Sequence, residues 1–156
     1  MTGPRILVIR RDNIGDLVLT TPLIAGLRSR HPHAWIGVLA NTYNAPVLAG
    51  NPDIDAVFAY RKAKHGEASR LTAAIERVRL VLALRRMRLD AVVLATPAWQ
   101  PRVVRLAKWL GARRIVGFVP PGERVAGIDG VELVDVAGAS EAELVWRLAS
   151  RLEVQG

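Results

Sequence analysis

Six short apolar runs, rich in β-branched residues, are distributed along the chain at fairly regular intervals. They occupy residues 5–10, 35–40, 56–60, 90–95, 114–118 and 131–136. Runs of this length with many Val and Ile residues are typical of buried strands. The hydrophobic pattern therefore predicts six strands.

Segments with helical periodicity separate these runs. The first covers residues 16–30, but Pro22 has no backbone N–H and cannot lie deep inside a helix. Either the regular helix starts near Val18 or it kinks there, and His31-Pro32 ends it. A short helix is predicted over residues 43–49. Helices are also predicted over residues 68–87, over 102–110 with Gly111 as cap, and from Ser140, which forms a capping box with Glu143.

The helix over residues 68–87 has an apolar stripe, which predicts the face that packs on the core. The stripe consists of Leu71, Ala74, Ile75, Val78, Val81 and Leu82. Alternation of strands and helices along the whole chain predicts an α/β fold: a Rossmann-like, doubly wound, mostly parallel six-stranded sheet with helices on both faces. The 156 residues are enough for a single domain, 1–156.

Composition adds charge to this picture. The chain has 22 Lys and Arg against 14 Asp and Glu, a net charge of +8, which favours anionic partners. There is no Cys, so disulfides and thiolate metal sites are excluded. No apolar run approaches the roughly 20 residues of a membrane helix, and the N-terminus lacks a signal-peptide layout. We therefore expect a cytoplasmic protein.

In such a sheet the ligand site lies beyond the carboxyl ends of the strands, where the strand order reverses. For the order 3-2-1-4-5-6, the loops 11–16 and 96–101 meet there, flanked by the loops 41–44 and 61–66. The first loop is neither a dinucleotide fingerprint nor a P-loop. It offers Gly15, which permits close approach of a ligand, and Asp16, which would project into the cleft. Asp12, Asn13 and Asp16 are equally suited to cap a helix or turn.

Four stretches resemble glycosyltransferase family 9, the ADP-heptose:lipopolysaccharide heptosyltransferases. The opening ILVIRRDNIGDLVLTTPLIAGLRSRHP is similar to the family's strand, polar loop, Gly-Asp and Thr-Pro helix. WIGVLANTYNAPVLAGNPDIDAVF and DAVVLATPAWQPRVVRLAKWLGARRIVGF resemble its next strands. EAELVWRLASRLEVQG is similar to the helix before its interdomain linker. The resemblance covers nearly all of the chain.

The resemblance implies the acceptor-binding, N-terminal half of a GT-B architecture, with the nucleotide-sugar-binding domain absent and to be supplied in cis or in trans. It implies an inverting, metal-independent transfer of a sugar from ADP-heptose or a related nucleotide-sugar, without a cofactor. It also implies that this chain alone is an incomplete enzyme. The acceptor would be the anionic glycolipid of the lipopolysaccharide inner core, met at the inner face of the cytoplasmic membrane. Asp16 maps onto the family's catalytic Asp. Arg10 and Arg11 are near Asp16, and neighbouring cations make a carboxylate a weaker base. An alternative role for Asp16 is therefore to orient the acceptor hydroxyl.

Candidate acceptor-binding residues complete the site. They are Arg11, Asp12, Asn13, Gly15, Thr20, Thr21, Asn41, Tyr43, Arg61, Lys62, Lys64, Trp99 and Gln100. Basic side chains after the third strand suit phosphates, and an indole face suits a sugar ring. An alternative role in packing is open for Thr20, Thr21 and Trp99. The basic segment after the third strand is alternatively a solvated loop. His31, His33 and His65 are scattered, so no metal site is expected.

A different function class stays open on the sequence alone. A non-catalytic Rossmann-like module that binds an anionic ligand or nucleic acid would have the same charge. However, the Arg residues are spread over several helices and no nucleic-acid-binding motif is present, so no nucleic acid partner is expected.

Overall fold

The computed structural model of the chain describes residues 3–60, 67–132 and 140–152. In these residues the strands are β1 (Arg5–Ile9), β2 (Trp35–Asn41), β3 (Ala56–Tyr60), β4 (Ala91–Leu94), β5 (Arg114–Val119) and β6 (Asp129–Glu132). The helices are α1 (Ile14–Val18), α2 (Thr21–Arg30), α3 (Glu67–Arg86), α4 (Pro101–Leu110) and α5 (Glu141–Arg151), with a 3₁₀ helix at Ala45–Leu48.

The six strands form one parallel sheet in the order β3-β2-β1-β4-β5-β6. Alternate β1 side chains face opposite sides: Ile6 and Val8 join a core under α1, α2 and α5. Leu7 and Ile9 join a second core under α3 and α4. The predicted doubly wound α/β fold is confirmed, and the order reverses between β1 and β4.

Pro22 divides the predicted helix over residues 16–30 into α1 and α2. Without an N–H, Pro22 cannot donate to the Val18 carbonyl, and the Thr21 hydroxyl donates to it instead at 2.7 Å. The Thr20 hydroxyl likewise donates to the Asp16 carbonyl at 2.9 Å. Helical structure also begins at Ile14 rather than at Asp16, which puts Asp16 within the first turn.

Other boundaries differ modestly from the sequence prediction. The segment predicted as a helix over residues 43–49 forms only the 3₁₀ helix Ala45–Leu48, and β6 begins at Asp129, two residues before its predicted start. Residues 133–136 of the predicted sixth strand lie outside the described residues. Gly111 ends α4 in the left-handed region at φ 67°, and the Ser140 hydroxyl accepts from the Glu143 N–H at 3.3 Å, as the two capping predictions require.

The predicted core face of α3 is wrong. Leu71, Ile75, Val78 and Leu82 are 66%, 45%, 58% and 47% exposed. The helix packs through a stripe that shares only Val81 with the predicted one. In it Ala73 and Leu84 are buried, and Leu80 and Val81 are partly buried. The helix therefore carries two apolar stripes, and periodicity alone could not decide which one the sheet covers.

A Leu→Ala substitution should affect stability differently in the two stripes. Leu84→Ala should lower the free energy of unfolding by about 2–5 kcal/mol because it opens a cavity under α3. Leu82→Ala, two residues away on the same helix, should change it by only about 0.5 kcal/mol because the side chain is half exposed. Urea unfolding of the two variants measures both values, and equal losses would contradict this orientation of α3.

Candidate functional site

The loops after β1 and β4 meet at the carboxyl edge of the sheet, where the strand order reverses. The Ala95 N–H donates to the Ile9 carbonyl at 3.1 Å, and the buried Arg10 guanidinium donates to the Ala95 carbonyl. These contacts join the two loops to each other directly after the last residues of their strands. The two loops that the topology singled out therefore meet in a continuous polar edge.

Arg10 holds two carboxylates at this edge. Its Nε lies 3.2 Å from Asp12 Oδ2 and its Nη2 lies 3.5 Å from Asp16 Oδ1. The Arg10 side chain is 3% exposed, whereas both carboxylate side chains are 26% exposed. A buried cation thus pairs with two acids that remain open to solvent on their other side.

The position of Asp16 combines capping and exposure. Its Oδ2 accepts a hydrogen bond from the Asn13 N–H at 3.1 Å, which closes the first turn of α1. Its other oxygen faces Arg10. The capping role considered for Asp16 is therefore realised, and its side chain is still 26% exposed to solvent. Gly15 beside it has open space where a Cβ would lie.

Asp12 connects the β1 loop to the β4 loop. Its carboxylate accepts from the Thr96 hydroxyl at 3.3 Å and more distantly from the Gln100 amide at 3.4 Å. Its backbone carbonyl accepts from the Asn44 amide at 3.1 Å. The Asn41 amide donates to the Arg11 carbonyl, while Asn41 Oδ1 is buried without a hydrogen-bond partner among the described residues. The loop that carries Asp16 is therefore held by residues that follow or end two neighbouring strands, β2 and β4.

Arg11 turns to the opposite face of the sheet. Its guanidinium carbon lies 4.7 Å from the ring centroid of Tyr60, an arrangement that allows a cation–π contact. Its Nε is buried and has no hydrogen-bond partner within the described part of the chain. Arg11 also lines a cavity of about 550 Å³ between α3 and α4, together with Arg77, Arg102 and Arg105.

The structure brings several predicted site residues together and separates others. Arg11, Asp12, Asn13, Asp16, Asn41 and Gln100 form the connected edge. Thr20 is fully buried with its hydroxyl bonded to the helix backbone, so it packs in the interior. Thr21 lies on a shallow groove beside Pro22 and residues 49–53. Tyr43 is 72% exposed, Trp99 packs on the core under α4, and Arg61, Lys62 and Lys64 lie outside the described residues.

Sequence reasoning missed the part played by Arg10, Asn44 and Thr96. The signal for Arg10 was present, because a cation at the end of an apolar strand is followed two and six residues later by carboxylates. Asn44 and Thr96 lie in loops that the topology singled out, but nothing local marks them. In residues 3–60, 67–132 and 140–152, no group of three His, Cys, Asp or Glu side chains is arranged to hold a metal ion. None of the described helices has the length and hydropathy needed to span a bilayer.

The central role of Arg10 predicts a large stability effect. Arg10→Ala should lower the free energy of unfolding by about 3 kcal/mol, because it leaves two adjacent carboxylates without their cation. Arg10→Lys should lower the free energy of unfolding by less than Arg10→Ala does, because lysine keeps the positive charge. Some loss should remain because lysine lacks the planar guanidinium fork. Urea unfolding measures both variants. Arg113→Gln, which removes an 86% exposed arginine at the other edge, is the control and should be nearly neutral. An Arg10→Ala protein as stable as that control would contradict the ion-pair cluster.

Comparison with known proteins finds relatives by sequence. No family model matches the chain. Lipopolysaccharide heptosyltransferase 3 of Escherichia coli is 36% identical over 99 residues, which cover 64% of the chain and 28% of that protein. The protein of the same name from Escherichia coli strain K12 is 30% identical over 142 residues, covering 91% of the chain and 40% of that protein. The chain thus spans less than half of these curated relatives.

Solved structures share the fold. A family 9 glycosyl transferase from Veillonella parvula superposes with a TM-score of 0.72 at 24% identity, covering 97% of the chain and 42% of that structure. Heptosyltransferase WaaC of Escherichia coli, solved with ADP, gives 0.72 at 15% identity over 97% of the chain and 50% of that structure. Sequence and fold together lead to one assignment: the chain belongs to glycosyltransferase family 9, the heptosyltransferase family.

Proposed function

We propose that this chain is the acceptor-binding half of an inverting, metal-independent heptosyltransferase-type glycosyltransferase of lipopolysaccharide core synthesis, with Asp16 as its catalytic residue. A nucleotide-sugar-binding half, in cis or in trans, would complete a GT-B enzyme. The chain matches 28% and 40% of its curated relatives, which supports a half-enzyme. On this proposal the chain alone transfers no sugar.

The observation that carries the proposal is the position of the Asp16 carboxylate. It lies at the reversal of strand order, is 26% exposed, and is held by Arg10 on one oxygen and by the Asn13 N–H on the other. Each carboxylate oxygen has a second lone pair, so an acceptor hydroxyl can still donate to it. A general base must lie within hydrogen-bond reach of the proton that it removes.

In the proposed reaction the acceptor oxygen attacks the anomeric carbon of the nucleotide-activated heptose. The bond to the diphosphate breaks on the opposite face, and the diphosphate leaves with the bonding electron pair. Asp16 accepts the hydroxyl proton. Because Arg10 and Asn13 fix the carboxylate before the acceptor arrives, little reorganisation is needed at the reacting atoms.

Acceptor recognition is proposed for the polar groups around Asp16. Asn41 Oδ1 is buried without a partner among the described residues, and Gln100 adds an amide beside Asp12. Arg11, whose side chain lies on the opposite face of the sheet, would contact the acceptor from the α3 side. The net charge of +8 suits an anionic glycolipid. Arg61, Lys62 and Lys64 stay predictions as its phosphate ligands. Such an acceptor would bring the protein to the inner face of the cytoplasmic membrane.

Ligand binding distinguishes the two halves of the proposed enzyme. Isothermal titration calorimetry on the chain should detect the lipopolysaccharide inner-core acceptor and should show no binding of ADP or ADP-heptose. The reason is that the acceptor groups lie in this half and the nucleotide groups would lie in the other. Micromolar affinity for ADP would overturn this division, and so would the absence of acceptor binding under conditions that keep the acceptor dispersed.

Asp16→Asn tests the catalytic role. The side-chain oxygen of Asn can still accept from the Asn13 N–H, so α1 should be retained. With the nucleotide-sugar-binding half supplied, kcat should fall by a factor of about 10²–10⁴, the usual contribution of a general base, while KM for the acceptor changes little.

Glu123→Gln is the matched control for this variant. It removes the same charge from an exposed residue in the loop after β5 and should leave kcat unchanged. A loss confined to KM in Asp16→Asn would assign Asp16 to orienting the acceptor, and full activity would remove it from the mechanism.

A further inference from the structure

The outer face of α3 and the adjoining side of α4 present apolar side chains to solvent; we call this surface the α3/α4 face. Its stripe of Leu71, Ile75, Val78 and Leu82 follows a spacing of four, three and four residues, which places the four side chains in one line. Trp109 on α4 is 60% exposed. Single exposed apolar residues are ordinary, but a continuous line over three turns indicates a binding surface.

Basic side chains accompany this stripe. Between Leu71 and Arg86, α3 carries Arg77, Arg79, Arg85 and Arg86 against the single acid Glu76, and α4 carries Arg102, Arg105 and Lys108 without an acid. Three of these arginines, with Arg11, line the cavity of about 550 Å³ between the two helices. Its other walls are mainly Leu side chains, and none of the carboxylates that the structure describes lines it.

The positive charge on this face favours some binding partners of the apolar stripe over others. A second copy of the chain, paired about a two-fold axis, would bring the same basic face against itself. An anionic bilayer offers both an apolar layer for the stripe and phosphates for the arginines. A guanidinium fork pairs with phosphate through two parallel hydrogen bonds, and the buried Nε of Arg11 is a donor without a described partner.

We infer that the α3/α4 face docks on the surface of an anionic membrane, with the stripe entering the interface and the arginine-lined cavity holding a lipid phosphate. The assignment of this face as a membrane-docking surface is based on its exposed apolar side chains and its positive charge. Its use in glycolipid transfer rests on the proposed function. Arg11 connects the two, because it lines this cavity and lies in the loop that carries Asp16. A membrane-anchored acceptor would therefore reach Asp16 from the α3 side.

Vesicle sedimentation tests the inference with the chain as it stands. The protein should bind vesicles of phosphatidylcholine with 30% phosphatidylglycerol, release them as salt is raised, and bind pure phosphatidylcholine at least tenfold more weakly (about fivefold for each basic residue engaged). Ile75→Glu with Val78→Glu should weaken binding at least tenfold, and Arg102→Gln with Arg105→Gln about 25-fold by the same rule.

Two controls each carry one substitution of the same kind elsewhere. Val47→Glu alters a 42% exposed valine on the other side of the sheet, and Arg113→Gln removes an exposed cation from the opposite edge. Both should bind vesicles as the parent does. Equal losses in controls and test variants would overturn the inference. Equal binding to neutral and anionic vesicles would also overturn it. So would a dimer of the parent chain in analytical ultracentrifugation without lipid, if the Ile75→Glu, Val78→Glu variant were monomeric.

A separate measurement distinguishes this inference from the proposed function. Binding of a deacylated, water-soluble core acceptor should be unchanged in the Ile75→Glu, Val78→Glu variant, because the stripe lies outside the acceptor groove. Failure of the parent chain to bind that acceptor would count against the proposed function and leave the vesicle result standing. Loss of acceptor binding only in the stripe variant would instead reassign the stripe to the acceptor site.

Discussion

The site depends on one buried cation. Arg10 ends β1 at the point where the sheet reverses its order, and its guanidinium contacts the Ala95 carbonyl and the carboxylates of Asp12 and Asp16. Removing a guanidinium from water costs several kcal/mol, and the cost is offset only when paired charges and hydrogen bonds replace the lost hydration. Two carboxylates at this edge are therefore a structural requirement of burying Arg10. The same pairing holds one of them, Asp16, in a fixed position at this edge while its side chain remains 26% exposed.

Strand alternation explains why two adjacent arginines have opposite roles. Side chains of successive residues at the end of β1 leave the sheet on opposite faces. Arg10 turns towards α1 and is enclosed by acids, whereas Arg11 turns towards α3 and stacks on Tyr60 above the cavity. The first arrangement gives the site rigidity because its charges are already satisfied. The second leaves an arginine with hydrogen-bonding capacity to spare, as a residue that binds an anion must have.

Sequence reasoning succeeded where a local property decides the outcome. The strands were predicted because short apolar runs have few alternatives in a chain of this composition, and the division near Pro22 followed from a missing N–H. Asp16 is singled out as a candidate by its place after the first strand and by the family resemblance, and its catalytic role stays a prediction. The sequence places Arg10 near Asp16, as the structure has it. It could not show that Arg10 is also bonded to Ala95, 85 residues away, because it cannot place that carbonyl beside it.

The error on α3 has a different cause and is the more informative one. Hydrophobic periodicity reports that a face will be removed from water, but it does not report what will cover that face. On α3 two stripes meet the criterion, and the sheet covers the one with Ala73 and Leu84. Keeping Leu71, Ile75, Val78 and Leu82 in water forgoes the stabilisation that their burial would give, about 25 cal/mol per Å² of apolar surface. A stripe that the fold leaves exposed at that cost, and that basic residues accompany on two helices, is best explained by a partner that is both apolar and anionic. The misread periodicity and the excess of positive charge thus have one physical explanation.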